Sequence, residues 1–206
     1  MGFLPKFYIR NILLKQTQSI TRIFSWLSRN SSDKNKAMQN YEKIIKALGL
    51  EPHPEGGYFK ETYRSDLLIP KGGLQNHYSG PRCASTAAYF LLTKDKPKSF
   101  LHKIKSDEIF HLYDGGPLDI LLLYPNGDGE IKTLGRDLEK GEEPQILIPH
   151  GTWFGAELHK KVSYGLIGCT VAPGFEFEDF DVKFPTNLKT KYPDFLDMIE
   201  ILTLKK

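Results

Sequence analysis

Between residues 102 and 116 the chain reads HKIKSDEIFHLYDGG, which gathers His102, Glu108 and His111 within ten residues. Imidazole and carboxylate make a metal-ligand set and equally a general acid/base pair. On an extended strand, residues two apart share a face, so Phe100, His102 and Ile104 point one way and Leu101 and Lys103 the other. Lys-Ser-Asp then makes a turn, and Glu108, Phe110 and Leu112 line one face of the returning strand. His102 and Glu108 therefore both look inward, where a carboxyl group is costly without a cation, a metal or several donors. His111 has the opposite parity and faces inward only if a bulge re-aims it. The alternative is a purely structural hydrogen bond between His102 and Glu108.

The elements that must hold this pair are short strands. Residues 57–64, 85–93, 99–104, 108–113, 117–124, 144–149 and 162–171 are rich in aromatic and β-branched residues. Turn formers such as KDKPK, DGG, PNGDG and APG separate them. Such spacing predicts an all-β sandwich or small barrel rather than alternating β and α units. Ahead of it, Tyr41, Ile44, Ile45 and Leu48 mark one face of a short helix stopped by Gly49. Behind it, Phe195, Leu196, Ile199 and Leu202 follow Pro193 and predict a C-terminal helix over the barrel. GFEFEDFDV at 174–182 reads as a half-buried edge strand with a solvated acidic face. His53, His77, His150 and His159 lie in loops or beside turns and read as surface residues.

The chain has 206 residues and a formal net charge of +3, a length that accommodates one core and an extension. Residues 1–32 carry Lys6, Arg10, Lys15, Arg22 and Arg29 without a single acid, and the remainder is slightly acidic. A near-neutral body argues against nucleic-acid binding. No apolar run is long enough for a membrane span. The basic stretch, with apolar residues at helical spacing, matches a mitochondrial transit peptide, a disordered tail or a surface helix. Residues 1–37 are thus read as an extension, 38–206 as the folded domain, and the location as cytoplasmic or mitochondrial, not secreted. Cys83 and Cys169 fit no zinc spacing and read as reduced core thiols. No Gly-x-Ser-x-Gly elbow, Cys-x-x-Cys pair or His-Glu-x-x-His helix supports hydrolase, redox or zinc-protease chemistry.

The order His102, Glu108, Gly115 resembles the first cupin motif, and PHGTWF at 149–154 resembles the second through Pro149 and Gly151. Together with HPEGGYFKETYRS (53–65), SDEIFH (106–111) and GCTVAPGFEFEDF (168–180), these stretches are similar to the Cupin_5 family, a group of largely uncharacterised cupins. The resemblance implies a single jelly-roll β-barrel of the RmlC-like type, at about 48–184, with short flanking helices. Ile104 and Phe154 stand where the motifs place histidines, so of the usual metal ligands only His102 and Glu108 remain, with His111 as a third through a bulge. A divalent metal is disfavoured on that count, and the cofactor stays open.

The reading that follows is a small-molecule pocket with isomerase- or epimerase-like acid/base chemistry. Its alternatives are a non-enzymatic metabolite-binding or storage-type cupin and a metal-dependent oxygenase. His102 and Glu108 are the catalytic candidates, with Tyr89 as an acid partner. Glu61 and Tyr63 on one strand face, Phe110, and Trp153 at the barrel mouth are the ligand-binding candidates. A homodimer is expected, because such barrels commonly cover an exposed sheet edge with a twin.

Overall fold

A computed structural model describes residues 41–182 and 187–203. The chain divides into a unit at 1–43 and a unit at 44–206, and the fold below is that of the second. The expected transit segment and linker lie outside the described residues. A helix over 41–48, α1, ends as the sequence predicts. Gly49 takes the left-handed conformation, and the Leu50 amide donates back to the Ile45 carbonyl at 2.9 Å, a Schellman-type stop.

Twelve strands follow: β1 (Glu51–Pro52), β2 (Tyr58–Arg64), β3 (Leu68–Ile69), β4 (Arg82–Cys83), β5 (Thr86–Thr93), β6 (Lys98–His102), β7 (Asp107–Gly115), β8 (Leu118–Leu123), β9 (Gly129–Leu134), β10 (Gln145–Ile148), β11 (Trp153–Leu158) and β12 (Tyr164–Ala172). They form a six-stranded sheet, β1-β2-β5-β12-β7-β10, and a four-stranded sheet, β6-β11-β8-β9. β3 and β4 make a separate ribbon. The named strand pairs are all antiparallel. The two large sheets share one core, to which Phe90, Phe110 and Ile167 come from the first and Ile120, Leu122 and Phe154 from the second.

β8 explains why its sequence, LDILLL, barely alternates. Leu118, Ile120 and Leu122 enter the barrel core, while Leu121 and Leu123 join a second cluster on the outer face. That outer cluster is closed by two C-terminal helices, α2 (Leu188–Lys191) and α3 (Leu196–Leu202), through Leu188, Ile199 and Leu202. A strand apolar on both faces must be covered on both. The predicted C-terminal helix supplies the second cover.

The segment 174–182 departs from its expected strand. It carries a 3-10 turn, Phe177–Asp179, and its acids are not all solvated. Asp179 is buried and receives hydrogen bonds at 2.6 Å from both Nε and Nη2 of the equally buried Arg82. Glu178 takes a third at 2.6 Å, and Lys105 Nζ lies 3.1 Å from Asp179. The fixed fork of the guanidinium matches the carboxylate, so this pairing pins the segment to β4. Arg82→Ala strands Asp179 with Lys105 as its remaining cation and should cost about 3 kcal/mol. Urea denaturation of wild type and variant measures the loss; a change below about 1 kcal/mol would show that the pairing is not what holds the segment.

Candidate functional site

The barrel holds a partly open cavity of about 50 Å³. β6 delivers His102 to it, β7 delivers Glu108 and Phe110, and β12 delivers Cys169. β2 adds Glu61 and β5 adds Thr86, and the turn between β1 and β2 brings His53 and Glu55 into the barrel. Gly56, the next residue, has φ 108°, and a Cβ there would sit 2.1 Å from the Lys98 carbonyl oxygen. Only glycine fits so close to β6. The Phe100 amide bonds the Glu55 carbonyl at 2.6 Å, which fixes the turn on the same strand that carries His102.

His102 Nδ1 lies 2.8 Å from the Phe100 carbonyl, which can only accept, so the proton is assigned to Nδ1. Nε2 is left as an acceptor, facing Glu55 Oε2 at 3.2 Å. Burial pushes the imidazole down to about 4, and the Phe100 carbonyl offsets part of that fall. Burial pushes the Glu55 carboxyl up to about 7, against the nearby His53 and a hydrogen bond with Ser99. Burial thus favours a protonated Glu55 facing a neutral His102. Glu108 is pushed up to about 8 by burial and by the negative charge of Glu55, while a hydrogen bond with Cys169 opposes the rise. The Cys169 thiol is itself raised, first by burial and then by these two acids. Burial also lowers His53, whose Nδ1 is 3.7 Å from Glu55 Oε1. A carboxyl poised near neutrality can both take and give a proton at physiological pH.

The predicted residues divide between the cavity and the outside. His102, Glu108, Phe110 and Glu61 line it. Tyr89 does not: Ala88 and Phe90 face the core, and Tyr89 meets Tyr113 at 6.0 Å between ring centroids. Tyr63 is also outside, because a bulge between Glu61 and Tyr63 reverses the strand's parity and leaves the ring 53% exposed. Trp153 belongs to the outer cluster under the C-terminal helices, not to the mouth. His111 keeps its outward parity and stacks with Tyr113, since the bulge in β12–β7 pairing falls beyond it. His53 and Glu55 were missed, and His53, read as a surface residue, has a side chain only 10% exposed.

The donor set does not fit the metal that cupin motifs imply. Phe154 stands at one motif histidine and packs its ring 4.0 Å from that of His102. Ile104 stands at another, buried in the core. Among the described residues, no three His, Cys, Asp or Glu side chains converge as a metal-binding group.

The pH dependence of stability should carry the mark of Glu108. Below its ordinary value of 4.5 the group is protonated folded and unfolded alike. Between there and about 8 the unfolded chain loses this proton while the native cavity retains it, so stability falls as pH rises. Glu108→Gln removes the Glu108 share of the dependence, leaving that of Glu55, and should recover roughly 2 kcal/mol or more at about pH 8 relative to about pH 5. Urea denaturation at the two pH values tests it; an unchanged pH slope would mean that the native carboxyl is solvated.

Residues 42–183 match the family model Cupin_5, described as Cupin superfamily (DUF985). An uncharacterised Saccharomyces cerevisiae protein is 35% identical over 146 residues, 67% of this chain and 72% of that one. A hypothetical protein from Leishmania major, of known structure, is 31% identical with a TM-score of 0.70, covering 80% of this chain and 98% of that one. A Shewanella oneidensis structure is 33% identical with a TM-score of 0.67 over the same shares. No helix among the described residues is long and apolar enough to cross a membrane. The barrel, its matched length and these relatives together place the chain in the Cupin_5 family of the cupin superfamily.

Proposed function

We propose that this cupin binds a small organic molecule in its barrel and moves a proton on it, with Glu55 as the general acid/base. The observation that carries the reading is the Glu55 Oε2 set 3.2 Å from the His102 Nε2 inside an aromatic-lined cavity. His102 is a positioning residue here: its Nδ1–H is held by the Phe100 carbonyl, so the ring presents one fixed acceptor to the acid. Glu108, which lines the same cavity, is a ligand contact. Proton shuttling of this kind suits an isomerase or epimerase acting next to a carbonyl.

The test follows deuterium uptake from D2O by proton NMR in a panel of small aldehydes, ketones and 2-hydroxy ketones. Wild type should exchange at least one of them, and Glu55→Gln should slow that exchange about 100-fold or more. His102→Gln should slow it less and shift its pH profile. Equal exchange by Glu55→Gln and wild type would remove Glu55 from the chemistry. Binding without exchange in wild type would leave a non-enzymatic metabolite-binding cupin.

We also infer a homodimer through the outer face of the six-stranded sheet. Leu147 pairs with Ile109 on that face and is 51% exposed, as is Tyr113. Sedimentation should give twice the chain mass, and Leu147→Asp should shift it toward one chain; a wild-type monomer at micromolar concentration would end this reading.

A further inference from the structure

The charges around the cavity are one-sided. Its lining holds three carboxyl groups, Glu55, Glu61 and Glu108, and no lysine or arginine. The two imidazoles, His53 and His102, are both shifted toward their neutral forms by burial. Nearby cations are already engaged. Arg64 donates to Glu61 at 2.8 Å, to Glu176 at 2.6 Å and to the Phe175 carbonyl at 3.0 Å. Arg82 and Lys105 are committed to Asp179. An entering carboxylate or phosphate would lose its water and meet acids instead of a counter-ion.

The other half of the lining is aromatic. Phe59, Phe90, Phe110, Phe175 and Phe180 all border the cavity. The rings form a connected wall: His53 lies 5.0 Å from Phe59 and 6.1 Å from Phe180, and Phe180 lies 5.3 Å from His102, centroid to centroid. Ring faces attract cations, and more strongly once water is excluded. Glu108, on the β7 side, is 8% exposed, and the Cys169 thiol is its hydrogen-bonding neighbour. A neutral thiol leaves a buried carboxylate without the opposite charge that would stabilise it.

We infer that the ligand carries an ammonium group, seated between Glu108 as counter-ion and the phenylalanine wall. The ligand class is a small primary or substituted amine with an apolar body. This inference rests on the cavity being a ligand site, and adds what that ligand must carry. Glu108, protonated in the empty cavity, releases that proton to solvent as the ammonium enters and then contributes charge, while Glu55 contributes proton transfer, so the two acids have separate tasks.

Three probes of similar shape and different charge separate the outcomes: isobutylammonium, isobutanol and isobutyrate, titrated into the full chain and followed by NMR shifts of the cavity phenylalanine and Ile104 signals. Isobutylammonium should bind about tenfold or more tightly than isobutanol, and isobutyrate should leave the signals unmoved. Glu108→Gln should lower the ammonium affinity about tenfold and change the alcohol affinity less than about twofold. Alcohol or carboxylate binding as tightly as the ammonium overturns the inference while leaving the cavity as a ligand site. No perturbation by any probe overturns it as well. The wild-type comparison of the three probes decides the matter even if the variant does not fold.

Discussion

Carboxyl groups set in an aromatic barrel are the constraint on which the rest of this structure depends. A buried ionised acid is unfavourable unless something matches it, and this cavity supplies only partial matches. It holds a neutral imidazole against Glu55 and a thiol beside Glu108. Both acids therefore lie near neutrality rather than in their ordinary range. Stability is sacrificed locally, and the proposed proton transfer draws on the same imbalance. The surrounding core, with Leu118, Ile120, Leu122 and Phe154 essentially inaccessible, is large enough to tolerate it.

The position of Glu55 shows how the fold produces that imbalance. A strand would present it by alternation, but Glu55 arrives on a turn pressed against β6. The close approach that requires Gly56 also fixes the carboxyl beside His102. Backbone geometry thus sets a side-chain contact that neither strand pattern contains. The Nδ1–H bond to the Phe100 carbonyl does the same for the imidazole, so both members of the pair are oriented by one short stretch of β6.

Much of this architecture was legible in the sequence, because alternation survives wherever one sheet face is buried. His102 with Glu108 and Phe110 followed from parity and the cupin resemblance, and the C-terminal helix from the helical spacing of apolar residues after Pro193. Where parity failed, a physical cause intervened. β5, TAAYFLLT, is apolar at most positions and gives no phase, so Tyr89 was assigned to the wrong face. A bulge displaced Tyr63. β11 begins directly after a Pro-x-Gly turn, and Trp153 was placed at the barrel mouth beyond that turn instead of on the outer face. β9, GEIKTL, has mostly half-exposed side chains and carries too weak a pattern to register. Glu55 and His53 had no period to reveal them; the paired glycines in HPEGG were the available signal, and they mark where backbone approaches backbone.

The wall formed by Phe175 and Phe180 is fastened differently from the rest of the barrel. Its ends are held by a few main-chain contacts, Gly174 to Cys83 and Asp181 to Lys103, and its middle by the ion pair of Asp179 with Arg82. No ladder of strand hydrogen bonds runs through it. The molecule is in effect a rigid cup with a separately riveted rim. Ladder registry constrains the cup, whereas the rim can be lengthened, shortened or re-lined without disturbing a single strand pair. The lining of the cavity and the fold can therefore diverge independently between relatives that share this barrel.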